Sequence, residues 1–178
     1  MKNNKQRLFE LMEMTNTNFT QAKPKLIFTV GISGSGKSTW INSLSKNDYV
    51  IVSFDNLRRE LTGDVNDHST SEEVRAIAYK RIIDALNAGK NVVLDALNVS
   101  SRGRRKNIEY IKDNTSTDFD LYAKIFEGNP EVSKQRIAND LANGVDRANV
   151  PPEAIDSQYQ SYMANIHKLE DEGFKIMK

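Results

Sequence analysis

Two features of the sequence predict an α/β architecture with a parallel sheet of four or five strands flanked by helices. Short apolar, β-rich runs alternate with longer segments of helical periodicity. Three of those runs lead directly into residues suited to chemistry, at Gly31, Asp55 and Asp95. Right-handed crossovers bring the loops that follow parallel strands to one edge of the sheet, which is where ligands bind in such folds.

Residues 5–14 read as a short helix with Leu8, Leu11 and Met12 on one side, and the polar Thr15–Asn18 stretch reads as a linker ending at Pro24. Residues 1–24 are therefore expected to be an N-terminal helical extension and linker, and residues 25–178 a single domain. Leu26–Val30 is a buried parallel strand feeding a glycine loop. A helix over Ser38–Ser45 and a second strand over Tyr49–Ser53 follow. Val74, Ile77, Ala78, Ile82, Ala85 and Leu86 recur at helical spacing, and Gly89 is the stop. Val92–Leu94 is a strand closed by Asp95, and Ser100 or Ser101 caps a helix reaching about Asp113. Residues 119–126 form a fourth strand. Asn129-Pro130 opens a helix through about Leu141, and Pro151-Pro152 opens the last one, with Ile155, Tyr159, Tyr162, Ile166 and Leu169 as its apolar stripe. Phe174–Met177 is a final short strand.

Composition narrows the class. A chain of 178 residues with 38% hydrophobic and 28% charged residues suits one polar globular domain with its own core. The absence of cysteine excludes disulfides and thiolate metal sites. No apolar run approaches the roughly 20 residues that span a bilayer, and residues 1–14 lack the apolar stretch and cleavage site of a secretory signal. A cytoplasmic protein without a membrane partner is expected. The net charge of +1 does not mark a nucleic-acid binder in bulk. Charge is uneven, however: residues 60–73 carry five acidic groups and no Lys or Arg, whereas residues 100–112 carry Arg102, Arg104, Arg105, Lys106 and Lys112 against Glu109 alone. A polyanion would be gripped locally.

Gly31–Thr39 (GISGSGKST) matches G-x-x-x-x-G-K-[ST] in full, between a strand and a helix. Glycines let the loop wrap so that successive backbone N–H groups face phosphate oxygens, and the following helix adds its positive dipole end. The predicted fold is accordingly a P-loop NTPase of nucleoside-kinase type with a helical lid. Gly31, Ser33, Gly34, Ser35, Gly36, Lys37, Ser38 and Thr39 are the expected ATP-binding residues, with Lys37 on the β/γ-phosphates and the Ser38 hydroxyl on Mg²⁺. A GTPase would need D-x-x-G and N-K-x-D; the first candidate reads Asp95-Ala96-Leu97-Asn98, with Asn in place of glycine, and the second is missing.

Transfer to a hydroxyl needs a proton acceptor, and Asp55 stands where a carboxylate would face the phosphate loop. Arg58, one helical turn later, projects into the same cleft and could hold an acceptor phosphate in bidentate fashion. The alternative for Asp55 is a cap on a helix beginning at Asn56. Arg59 points roughly 100° away and reads as a solvated neighbour. Asp95 ends its strand where a carboxylate orients Mg²⁺, with a helix-cap or loop-bracing role as the alternative. Arg136 and Arg147 flank Ala138–Asn149, with Gly144 midway, as a phosphate-closing lid would require; otherwise they are surface arginines. Arg102, Arg104 and Arg105 oppose the dipole of their helix, so they either serve a polyanion or acidic neighbours, or form a wet face. Trp40 packs on the sheet, and His68 and His167 have surface positions.

Taken together, Gly31–Trp40 (GISGSGKSTW), Asp55–Arg58 (DNLR), Leu94–Asn98 (LDALN), Arg136 and Arg147–Pro151 (RANVP) resemble the kinase module of bacteriophage polynucleotide kinase. That resemblance covers about residues 25–170. It implies transfer of the γ-phosphate of ATP to the 5′-hydroxyl end of RNA or DNA, with Asp55 as general base and Lys37 and Ser38 serving ATP and magnesium. It further implies that Arg58 binds the 3′-phosphate beside the acceptor hydroxyl, that Arg147 is the lid arginine, and that Asp95 is the family's third-strand aspartate. The phosphatase of the phage enzyme, with its D-x-D-x-T motif, has no counterpart in this sequence. A kinase for a small molecule or nucleotide using the same base, and a nucleotide-dependent switch, are the competing readings.

Overall fold

The computed structural model describes residues 5–6 and 22–178. Apart from residues 5–6 and 22–24, the expected N-terminal helix and linker lie outside the described residues. The chain folds in the order β1 (Lys25–Val30), α1 (Lys37–Ser43), β2 (Tyr49–Ser53), α2 (Phe54–Thr62), α3 (Ser71–Asn87), β3 (Asn91–Asp95), α4 (Ser101–Asn114), β4 (Asp120–Ile125), α5 (Pro130–Ala142), α6 (Pro152–Asn165), a 3₁₀ turn (Ile166–Lys168) and β5 (Lys175–Met177).

The strands make one five-stranded sheet in the order β2-β3-β1-β4-β5, and every pair is parallel. Flanking helices cover a parallel sheet on both faces, so its middle strands read as continuous apolar runs. In β1, Leu26, Ile27, Phe28 and Val30 have no solvent exposure. They sit in register with Val92–Leu94 on one side and with the Asp120–Ile125 strand on the other. Phe174, just before β5, closes edge-on against Phe28 with ring centroids 5.2 Å apart.

Local signals set the element ends. Ser100 caps α4, its hydroxyl accepting from the Gly103 N–H, and Asn129 caps α5 by accepting from Val132. Gly63 and Gly89 take left-handed φ after α2 and α3. The last helix is shorter than its apolar stripe implies. It ends at Asn165, tightens into the 3₁₀ turn, and closes where the Phe174 N–H reaches the Leu169 carbonyl through Gly173 at φ 90°.

The topology decides where a ligand goes. From β1 the chain travels toward β2, whereas from β4 it travels toward β5, so the direction of winding reverses between neighbouring strands. Gly31 leaves β1 at that reversal, where open α/β sheets bind ligands. Ser53 and Asp95 end adjacent strands in direct register on the same edge. Among the described residues, no helix is long and apolar enough to cross a membrane.

Candidate active site

The Gly31–Lys37 segment folds back on itself. The Lys37 amine donates to the Gly31 carbonyl at 2.9 Å and to the Ile32 carbonyl at 2.7 Å. Gly34 (φ 75°) and Gly36 (φ 101°) take left-handed backbone that only glycine adopts cheaply. A side chain on Gly31 would stand 2.8 Å from the Phe126 carbonyl and from Ser35 Oγ, so that position must stay bare. Ser35 Oγ is buried with no hydrogen-bond partner, an orphan polar atom inside the cradle. This wrapped loop and orphan hydroxyl fit a triphosphate. Ser38 and Thr39 open α1 with exposed side chains.

Two side chains grip the loop from outside. Gln158 of α6 accepts from the Ser33 N–H at 2.9 Å, and Arg136 of α5 donates to the Gly34 carbonyl at 3.1 Å. The sequence reading placed Arg136 at the lid edge; it lies inside α5, reaching the loop. Gln158 had no sequence signal, because one glutamine in an amphipathic helix is unremarkable.

The loop after β3 is sewn to β1. The Thr29 hydroxyl donates to the Ala96 carbonyl at 2.9 Å, Asn98 Nδ2 donates to the Thr29 carbonyl at 2.9 Å, and the Gly31 N–H donates to the Leu97 carbonyl at 3.0 Å. Asn98 makes this turn at φ 47°. Asn98 and Thr29 therefore do the loop-bracing, and Ser100 does the capping, which leaves the Asp95 carboxylate facing the phosphate loop. Burial raises its pKa, with the Lys37 charge and the Ser53 hydroxyl opposing and Asp55 reinforcing. The Lys37 pKa is lowered to about 8 by burial, with Asp95 and Asp55 pulling it up and Arg147 pushing it further down.

Helix α2 begins at Phe54 with Ser53 at its cap position, so Asp55 lies inside the first turn and caps nothing. Its side chain is 57% exposed and accepts from Arg58 NH1 at 2.6 Å, whereas Arg58 is only 16% exposed. Arg58 Nε is buried without a partner. The pair sets a largely buried guanidinium beside an exposed carboxylate at the start of α2.

The helical part of the lid ends at Ala142, and residues 143–151 are irregular, with Gly144 at φ 71°. Arg147 is paired with Asp140 of α5, and its Nε is buried and unmatched. Arg59 is not a solvated neighbour: its Nε lies 2.7 Å from Asp146 Oδ2 on the lid.

The basic run divides. Arg102 and Arg105 are exposed, but Arg104 has no exposure at all and is paired with the equally buried Glu172, Nε to Oε2 at 2.6 Å. Neither a wet face nor a polyanion contact describes Arg104; it serves an acidic neighbour. Trp40 meets Phe126 edge-on at 5.7 Å, and both histidines are exposed. The described residues contain no cluster of three or more His, Cys, Asp or Glu able to hold a metal.

Residues 26–164 match the family described as AAA domain. The chain belongs to that family. No curated protein matches the sequence. In structure, this AAA domain is similar to a chain of the Pnkp1/Rnl/Hen1 RNA repair complex, with TM-score 0.68 and 23% identity over 86% of this chain and 48% of that one. It is also similar to a chain of a Pnkp1/Rnl/Hen1 complex with TM-score 0.55 and 27% identity, covering 68% of this chain and 40% of that one. Against a chain of the PezAT chromosomal toxin–antitoxin system of Streptococcus pneumoniae the TM-score is 0.62 at 18% identity, over 95% and 73% of the two chains. The AAA domain spans half or less of the RNA repair chains it matches. Its fold is that of the P-loop kinases, a nucleotide-binding architecture built for phosphotransfer.

Proposed function

We propose that this chain transfers the γ-phosphate of ATP to the 5′-hydroxyl end of a polynucleotide, with Asp55 as general base. One observation carries the reading. The loop that bears Lys37 leaves β1 at the sheet edge where Ser53 and Asp95 end β2 and β3 in register, and Asp55 follows Ser53 by two residues, so both carboxylates belong to the edge that carries the phosphate loop. In the reaction the acceptor O–H bond breaks and its proton passes to the Asp55 carboxylate. The freed oxygen bonds to the γ-phosphorus as the bond to the β–γ bridging oxygen breaks, releasing ADP.

Gly31, Ser33, Gly34, Ser35, Gly36, Lys37, Ser38 and Thr39 hold the triphosphate, and Lys37 and Arg147 face the charge that develops on the transferring group. Arg136 steadies the loop. Ser38 and Asp95 supply the hydroxyl and carboxylate that suit Mg²⁺, an oxygen-seeking ion that keeps much of its coordination for water and phosphate. When bound, the metal neutralises phosphate charge. Arg58, which is paired with Asp55, binds the phosphate 3′ to the acceptor hydroxyl through its guanidinium. Residues 25–178 constitute the kinase domain and residues 1–24 an extension. The similarity to chains of Pnkp1/Rnl/Hen1 complexes, one of them described as an RNA repair complex, supports the polynucleotide acceptor over a small alcohol.

The test is 5′-end labelling of RNA and DNA oligonucleotides with γ-labelled ATP. Wild type should label, and Asp55→Asn should lower turnover by about 10²–10⁴-fold while still binding ATP. Labelling of small alcohols but of no polynucleotide end would move the acceptor class. Undiminished labelling by Asp55→Asn would remove the base.

A further inference from the structure

The lid is fastened at two points that flank its arginine, one on α2 and one on the turn that follows it. Arg59 Nε stands 2.7 Å from Asp146 Oδ2, and its NH2 donates to the Asp146 carbonyl at 3.4 Å. Its NH1 donates to Asn56 Oδ1 at 3.0 Å, which restrains the guanidinium from within its own helix, while Nε meets Asp146 as an ion pair and makes no hydrogen bond. Three residues further along the lid, the Asn149 N–H donates to Asn66 Oδ1 at 2.9 Å. Asn66 is itself fixed in the turn after α2, its N–H and amide group donating to Asp64 Oδ1 at 2.8 and 3.1 Å. Arg147 lies between these two attachments, so the backbone that carries it is tied on one side to the helix bearing Asp55 and Arg58 and on the other to the turn after that helix.

We propose that Arg59 is a positioning residue: it latches the lid to α2, so that seating the acceptor and closing Arg147 on ATP become one coupled event. The inference rests on the proposed kinase reaction for the identity of the acceptor, but the latch itself is independent of it. Its strength suits the task. The side chains are 34% and 73% exposed, and an ion pair that open to water is weak enough to break and remake during turnover. Arg59 and Arg58 are adjacent on one helix, so an anion that draws Arg58 inward shifts the anchor of Asp146 through a single turn. Two sites whose ligands bias a common two-state element are energetically coupled, and the coupling is reciprocal.

The chain lacks cysteine, so a pair of introduced thiols can be labelled without background. Leu61→Cys on α2 and Val145→Cys on the lid replace residues 42% and 49% exposed. Spin labels there report the helix-to-lid distance by double electron–electron resonance on the full chain. The expected result is one narrow distribution for the otherwise wild-type pair, a broadened one with Arg59→Gln, and a narrow one restored by the swap Arg59→Asp with Asp146→Arg. An unchanged distribution in Arg59→Gln, or a swap as broad as Arg59→Gln, overturns the latch. A second arm measures the Kd of a non-hydrolysable ATP analogue with and without a 5′-hydroxyl oligonucleotide. The wild-type ratio should fall in the roughly 5- to 150-fold range of such couplings, drop toward one in Arg59→Gln, and recover in the swap. A coupled wild type whose ratio survives Arg59→Gln overturns the proposal. A wild-type ratio of one with the oligonucleotide bound, as direct titration shows, overturns the coupling, whereas an oligonucleotide that does not bind faults the assigned acceptor and leaves the spin-label arm to decide the latch.

Discussion

The Lys37 amine is held near the balance point of its own titration. Burial brings its pKa down to about 8, against the pull of Asp95 and Asp55. At pH 8 roughly half of these amines are therefore neutral. A triphosphate placed against the amine favours the charged form and raises the pKa, so nucleotide binding at pH 8 must draw in protons. Calorimetry of ATP binding in buffers of different ionisation enthalpy should show an uptake of about half a proton at pH 8. The uptake should vanish in Lys37→Met and shrink toward pH 6, where the amine is already charged. Proton-neutral binding at pH 8 would contradict the burial of this amine. The positions of Lys37, Asp55, Arg58 and Asp95 were legible because each sits at a fixed offset from a strand end. Gln158 and Arg59 were not, because their partners Ser33 and Asp146 lie 125 and 87 positions away along the chain.

At the scale of elements, α4 is anchored by a single guanidinium. Besides Glu172, Arg104 donates to the Asn98 carbonyl at 2.8 Å and the Asn165 carbonyl at 2.9 Å. It thus ties the loop behind Asp95, the end of α6 and the turn before β5 to one point. Removing one partner of a buried pair strands the other charge, so Glu172→Gln should lower stability by about 3–5 kcal/mol. Urea unfolding measures this as a fallen midpoint with unchanged slope; a loss below about 1 kcal/mol would mean the pair is solvated. Element positions were legible nearly throughout, because Ser100, Asn129 and the prolines punctuate the chain. The burial of Arg104 was missed although it stands on the same stripe as Ser101, Ile108 and Ile111, all buried. The argument from helix dipole and charge run outweighed the periodicity that held the answer.

For the whole molecule, strand order sets where the structure yields first. β1 is bonded on both sides and almost wholly buried, whereas β2 is bonded only to β3. Hydrogen exchange should therefore be slowest in Leu26–Val30 and several-fold or more faster in Tyr49–Ser53. Equal protection of the two strands would mean the sheet opens only as one unit. The five-stranded order could be anticipated only as four or five strands, since pairing depends on crossovers that no local pattern records.

That strand order has an evolutionary corollary. The phosphate loop grows from the spine of the sheet, where any change disturbs two neighbours, while the helix bearing Asp55 hangs from a margin with one. A lineage built on this plan can exchange its acceptor by remodelling the margin and leave the energy-yielding half untouched. Descent with a fixed donor and a changing recipient is what such a layout permits.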